Sequence, residues 1–124
     1  MSRLVDLASI APLAASGDDV RIRRLEGERI TLGVFELAPG AVVAEHRHDA
    51  EQIGICIRGQ LTFTIADETR TLGPGGTWCI PSGVPHKAIA GPDGAIAIDA
   101  FSPIRGDWDF PELQRQAPLW PTED

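Results

Sequence analysis

The sequence has few basic residues and no long run of them. Its 11 lysines and arginines stand against 18 aspartates and glutamates, for a formal net charge of -7. Nucleic acids and anionic membranes are bound mainly through clustered Lys and Arg, so neither is an expected partner. No apolar run approaches the roughly 20 residues of a membrane-spanning helix. The 124 residues, which contain no internal repeat, fit one domain with its own core.

The sequence also lacks the marks of a secreted protein. Asp6 and Pro12 interrupt its first apolar stretch, so the continuous apolar core of a signal peptide is missing. Of its two cysteines, Cys56 and Cys79, each lies within an apolar strand-like run, where a free thiol behaves as a small buried hydrophobe. We therefore expect a cytoplasmic, reducing location and two buried free thiols.

Short strand-like segments fill the middle of the chain. About eight of them alternate along the chain with turn sequences, which recur at intervals of roughly eight to twelve residues. The predicted turns include Gly59-Gln60, Asp67-Glu68, Gly73 to Gly76 and Gly91 to Gly94. The pattern predicts an all-β sandwich or barrel, of which a jelly-roll barrel is the economical interpretation.

The chain divides into three predicted parts. Residues 1–19 form an N-terminal arm, residues 20–105 the barrel, and residues 106–124 a C-terminal tail. The tail contains Trp108, Pro111, Pro118, Trp120 and Pro121. Because prolines at this density oppose a regular helix or a central strand, we expect the tail to pack irregularly over the barrel or over a partner subunit.

All three histidines lie in two short segments. His46 and His48 are two residues apart, so on an extended strand both rings leave the same face and can converge on a metal ion. Ile53, Ile55 and Ile57 then alternate with other residues, which places Gln52 and Cys56 on the opposite face. His86 follows in a Pro-Gly-rich turn. The sequence therefore predicts a shared metal site, with the Cys56 thiol near it as an open alternative.

The two histidine segments carry the spacing of a known pair of motifs. The first contains Gly40, His46, His48, Gln52 and Gly59, and the second contains Gly75, Pro81, Gly83 and His86. These residues resemble the two motifs of the cupins, with Gln52 in the usual Glu position and Ala90 where Asn is often found. The resemblance implies a double-stranded β-helix, the jelly-roll barrel of cupins. It also implies one divalent transition metal (Ni, Zn, Fe, Mn or Co), held by His46, His48, Gln52 and His86.

The last predicted strand offers chemistry beyond the metal. Asp99 is a carboxylate in an otherwise apolar run, so it needs a hydrogen-bonding partner or a function. Asp99, Phe101 and Arg105 together resemble the strand and exit of small cupins that act on unsaturated uronates from pectin and alginate. That resemblance makes Asp99 the proton-handling carboxylate, Arg105 the clamp for the substrate carboxylate, and Phe101 a pocket wall. Gly106 departs from the family, which often has an acidic residue there.

Three functions are compatible with these residues. The first is the metal-dependent conversion of an unsaturated uronate to its open-chain keto form, with a small carboxylate as substrate. The second is an iron or manganese dioxygenase acting on a small substrate, in which redox chemistry at the metal replaces proton transfer by Asp99. The third is a non-catalytic sugar- or metal-binding cupin, which would bind its ligand and release no product.

The alternation of side chains between the two faces of each strand also predicts that the chain associates with a second copy of itself. Ile53, Ile55, Ile57, Ile96 and Ile98 are expected on the face opposite the site. If the site lines the barrel, these isoleucines must be covered by the arm, by the tail or by a second chain. A symmetric homodimer is the expected arrangement.

Overall fold

The computed structural model describes residues 2–16 and 19–113. Apart from one turn of 3-10 helix at Leu7–Ser9, the regular structure of these described residues consists of strands. The strands are β1 (Leu13–Ser16), β2 (Val20–Glu26), β3 (Thr31–Leu37), β4 (Val42–His46), β5 (Glu51–Ile65), β6 (Glu68–Leu72), β7 (Thr77–Ile80) and β8 (His86–Ser102). No helix within the described ranges is long and apolar enough to span a membrane.

Two long strands, β5 and β8, connect two antiparallel layers. One layer has the order β1-β2-β3-β8-β5-β7 and uses residues 95–102 of β8 and 51–56 of β5. The other has the order β4-β8-β5-β6 and uses residues 86–90 of β8 and 61–65 of β5. The all-β prediction is confirmed, because every strand pair is antiparallel and strands provide nearly all of the regular structure.

The predicted turns at Gly59-Gln60 and Gly91 to Gly94 are wrong. Both segments lie inside continuous strands, where the register shifts from Gly59 opposite Ala95 to Leu61 opposite Ala90. The extra residues on β8 form a wide irregularity that bends the strand from one layer to the other. The turn-forming residues do lie at the bend. The chain does not reverse there, because the strand is paired with other strands before the bend in one layer and after the bend in the other.

The bend depends on close backbone contact at Gly59. Gly59 has φ of +75°, and a Cβ at this position would lie 2.0 Å from the carbonyl oxygen of Gly94. Both the left-handed conformation and the missing side chain are therefore required where β5 and β8 cross between the layers.

The core lies between the two layers. Its larger cluster includes Val20, Leu37, Leu61, Phe63, Trp78 and Ile80, which come from strands of both layers. A smaller cluster at one end joins Ile22, Ala50, Phe101 and Trp108. Within the predicted arm, β1 pairs with β2, and within the predicted tail Trp108 is buried. The division into arm, barrel and tail stays a prediction, and Pro118, Trp120 and Pro121 lie outside the described residues.

Ile96 keeps its predicted parity with Ile98, since its neighbour Ala97 lines the opposite, inner face, but Ile96 is buried where it lies. The burial prediction for Cys79 is wrong. Cys79 is exposed rather than buried, because its neighbours Trp78 and Ile80 occupy the inner face of β7. Ile53 and Ile55 do lie outward, with 52% and 37% of their surface exposed.

We expect Gly59→Ala to destabilise the fold by about 3 kcal/mol, through left-handed strain and overlap with Gly94. Gly73→Ala is the matched control, because its added Cβ would approach no atom closer than the Gly59 carbonyl oxygen at 3.9 Å. Urea unfolding of both variants measures the difference. Equal midpoints for the two variants would contradict the role of Gly59.

Candidate metal and substrate site

A cavity of about 310 Å³ lies between the two layers. Most of its wall is apolar, and Leu61, Phe63 and Ala88 are typical of this part. The polar lining includes His46, Gln52, His86, Asp99 and Arg105. A mainly apolar cavity with a few convergent polar groups is typical of a site for a small molecule.

Strand pairing brings the three histidines together, and two of them, His46 and His86, line this cavity. His46 ends β4 and is paired directly with His86, which begins β8. His48 follows in the next loop, where its carbonyl oxygen accepts a hydrogen bond from the Gly83 amide at 2.9 Å. One ring nitrogen from each histidine lies within 4.8 Å of the other two. The first and second histidine segments therefore meet as the sequence predicts.

Backbone hydrogen bonds determine which ring nitrogens point into the site. The Nδ1 atoms of His46, His48 and His86 lie 2.9, 2.8 and 2.8 Å from the carbonyl oxygens of Ala44, Ala50 and Val84, respectively. A carbonyl oxygen can only accept, so each neutral ring carries its proton on Nδ1. Each Nε2 is left with a lone pair, as in the usual arrangement of a metal-binding histidine whose other nitrogen is held by a backbone carbonyl.

Two of these Nε2 atoms face no hydrogen-bond donor among the described residues. Nε2 of His86 is buried and, among the described residues, has no hydrogen-bond partner. Nε2 of His48 lies 3.1 Å from Oε1 of Gln52, while the Gln52 amide nitrogen donates to Asp99 at 2.6 Å. Two acceptors thus face each other, an unfavourable contact that a metal ion bound to both would relieve. The residues present therefore fit a metal held by three imidazole nitrogens and one amide oxygen.

The protonation states agree with this interpretation. Burial lowers the pKa of His86 to about 4, with the neighbouring histidines and Arg105 also lowering it. Burial, followed by the positive charge of Arg105, lowers the pKa of His48 as well. Both rings are therefore neutral near pH 7, which is the form that binds a metal.

Asp99 lies on β8 and faces the same cavity. Its Oδ2 accepts two hydrogen bonds of 2.6 Å, from the Gln52 amide and from the indole nitrogen of Trp78. Burial raises the pKa of Asp99 to about 6, although both hydrogen bonds act in the opposite direction. Its other oxygen, Oδ1, has no hydrogen-bond partner in the part of the chain that the structure describes. One carboxylate oxygen is fixed, and the other remains available to a ligand.

Sequence reasoning did not identify two residues that hold Asp99 in place. Trp78 lies 21 positions away in sequence and had no motif to mark it. Gly54 is paired directly with Asp99 across β5 and β8, and a Cβ at Gly54 would lie 2.4 Å from Oδ2. The alternation of Trp78 with outward-facing neighbours was the one available signal, since it places the indole on the inner face of β7.

Arg105 extends back to the cavity from the exit of β8. Its backbone amide donates to Thr31 Oγ1 at 2.9 Å. Its guanidinium carbon lies 5.1 Å from the ring centre of Phe101 and 5.0 Å from that of Trp108. Nε and Nη2 of Arg105 donate to Asp107 at 2.8 and 2.9 Å. The structure thus brings Asp99, Phe101 and Arg105 to one cavity, as the sequence predicts.

Cys56 lies apart from this arrangement. Its thiol is buried in the core and donates to the carbonyl oxygens of Arg58 and Gly59, at 3.3 and 3.7 Å. Burial raises the pKa of Cys56, which keeps the thiol protonated. The side chain therefore packs at the bend of β5, and Cys56 is not among the residues that line the cavity.

Comparisons with known proteins agree with the fold and the motifs. A family model described as the Cupin domain matches residues 33–99. The pectin degradation protein KdgF of Dickeya dadantii (strain 3937) is 32% identical over 99 residues, which cover 78% of this chain and 90% of that protein. The solved structure of KdgF from Halomonas sp. has a TM-score of 0.79 at 23% identity and covers 86% of this chain and 98% of its own.

A second solved structure has the same degree of similarity. The RmlC-like cupin from Shewanella frigidimarina has a TM-score of 0.79 at 22% identity, over 86% of this chain and 96% of its own. These likenesses confirm the predicted jelly-roll fold. Because the domain match spans more than half of the chain and includes both layers, the chain belongs to the cupin family.

Proposed function

We propose that this cupin is a metal-dependent enzyme that converts an unsaturated uronate, derived from pectin or alginate, to its open-chain keto form. The observation that carries the proposal is the Gln52 side chain, which joins the predicted metal ligands to the predicted proton carrier, Asp99. The likeness to a pectin degradation protein supports the class of substrate. The two free cysteines support a cytoplasmic location, where thiols stay reduced.

The metal ligands in this proposal are His46, His48, His86 and Gln52. Three neutral nitrogens and a neutral amide oxygen suit a divalent first-row transition ion: Ni, Zn, Fe, Mn or Co. Such an ion supplies Lewis acidity to a substrate oxygen. The protein's own contribution is to hold each Nε2 toward the cavity through its Nδ1 hydrogen bond, so that the ligands need no reorientation.

The reaction itself is an isomerisation that moves a proton within the substrate. A proton leaves the anomeric hydroxyl, the bond between the anomeric carbon and the ring oxygen breaks, and an aldehyde and an enol form. The enol then takes up a proton on carbon and becomes the ketone. Asp99 is suited to this transfer because Oδ2 is anchored by two donors while Oδ1 is available to the substrate.

Arg105 and Phe101 have binding roles in the proposal. The Arg105 guanidinium lines the cavity and can hold the substrate carboxylate by two parallel hydrogen bonds. Phe101 lies beneath the guanidinium and 5.8 Å from the His48 ring, so it forms the wall between the arginine and the predicted metal. A carboxylate held at Arg105 would thus place the rest of a small sugar acid toward the histidines and Asp99.

We also propose that the chain forms a homodimer through the outer face of β3, β5, β7 and β8. This face presents an apolar surface that includes Leu32, Ile53, Ile55, Cys79, Ile98 and Ala100. Because exposed apolar side chains grouped on one sheet face are unfavourable in water, we propose that the same face of a second copy covers them.

Metal analysis tests the ligand assignment. We expect about one divalent ion per chain, and a stabilisation of about 2.7 kcal/mol when the free metal is 100 times its dissociation constant. His86→Ala should lose the ion, whereas Glu45→Gln, an exposed change next to His46, should retain it. Elemental analysis and thermal unfolding with and without a chelator provide the measurements. Full metal content in His86→Ala would contradict the assignment.

Asp99→Asn tests proton transfer. We expect turnover to fall by about 10²- to 10⁴-fold, because the amide is a far weaker base. Metal content should not change, because the amide oxygen can still accept from Gln52 and Trp78. Loss of the ultraviolet absorbance of the conjugated uronate measures turnover, with the exposed Asp67→Asn as the control for charge.

Retained turnover in Asp99→Asn would refute the assigned role. If the wild-type protein instead leaves the uronate unchanged and consumes oxygen in a reaction that requires ferrous iron, the dioxygenase hypothesis replaces the isomerisation.

Sedimentation tests the dimer. We expect a dimer at micromolar concentration and a monomer for Ile53→Glu, because the change buries a charge in the proposed interface. Ile89→Glu is the matched control, since Ile89 is 43% exposed on the outer face of the other layer. A monomeric wild-type protein would overturn the proposal.

A further inference from the structure

We propose that Asp107 is a positioning residue that locks the Arg105 guanidinium so that a substrate carboxylate is bound end-on, by Nη1 and Nη2. The inference rests on the proposed function for the identity of the carboxylate ligand. It adds a residue that lies outside both motifs and that strand periodicity does not mark.

The hydrogen bonds of Arg105 divide its guanidinium into two edges. Nε and Nη2, which form the side-on edge, donate to the two carboxylate oxygens of Asp107. Nη1 has no hydrogen-bond partner within the described chain. A bidentate ligand on the remaining edge must therefore bind Nη1 and the second hydrogen of Nη2, which is the end-on geometry.

The surroundings of the pair leave the guanidinium little other freedom. The side chain of Arg105 is only 9% exposed, whereas that of Asp107 is 62% exposed, so Asp107 approaches from the solvent side. The rings of Phe101 and Trp108 lie about equally far from the guanidinium carbon, at 5.1 and 5.0 Å. Rotation about the last bonds of Arg105 would break both hydrogen bonds to Asp107 and one or both ring contacts.

The carboxylate of Asp107 is charged when it holds Arg105. The hydrogen bond from Arg105 is the main reason that the pKa of Asp107 lies below its ordinary value, so the two side chains are ionised and paired near neutral pH.

The test compares Asp107→Asn with Asp109→Asn in the metal-loaded protein. Asp109 is an exposed aspartate two residues away, so its variant has the same change of charge without the contact to Arg105. For Asp107→Asn we expect KM for the unsaturated uronate to rise about tenfold, because a charge-assisted bidentate pair is lost, with kcat within about twofold. Asp107→Glu, which retains the carboxylate, should restore most of the affinity.

A second measurement does not depend on turnover. Phenylglyoxal modification of Arg105, mapped by mass spectrometry without substrate, should become several times faster in Asp107→Asn and stay unchanged in Asp109→Asn. An unchanged KM or an unchanged modification rate in Asp107→Asn overturns the inference. If the wild-type protein does not convert the uronate, the proposed function fails, and the modification rates alone then decide whether Asp107 locks Arg105.

Discussion

The site depends on the orientation of one amide, that of Gln52. Its nitrogen must face Asp99, because a carboxylate oxygen accepts, so its oxygen must face His48. This orientation requires an amide at position 52. A glutamate at this position would place a second carboxylate about where the amide nitrogen now lies, against Asp99, and the pair would have to share a proton. Glutamine keeps an oxygen toward the proposed metal position while it donates to the carboxylate of Asp99.

The fold places these groups together through only two strands. Gln52 lies near the start of β5, and β8 carries His86 at its beginning and Asp99 and Phe101 near its end. Because β5 and β8 both cross from one layer to the other, residues far apart along β8 line the same cavity from opposite walls. Asp99 occupies its position because Gly54, directly opposite, has no side chain to exclude it.

Much of this arrangement could be predicted from the sequence, for identifiable reasons. Motif spacing brought His46, His48 and His86 together, and period-two alternation placed Gln52, Asp99 and Phe101 inward. Alternation gave Ile96 the parity of Ile98 but did not show that Ile96 is buried, because burial depends on tertiary packing. The turns predicted at Gly59 and at Gly91 to Gly94 were wrong, because residues that favour a chain reversal also favour a bend within a continuous strand. The contacts of Trp78 with Asp99 and of Asp107 with Arg105 depend on tertiary packing, which local patterns do not encode.

The irregular segment of β8 between Ala90 and Ala95 also determines which insertions and deletions the protein can accept. Side chains on a strand alternate between faces, so one residue added or removed between Ala90 and Ala95 would rotate the remainder of the strand by half a turn. Asp99 would then point to the outer face and Ile98 would enter the cavity. Residues 91–94 contribute no side chain to the proposed chemistry, but their number decides which face of the strand Asp99 and Phe101 occupy.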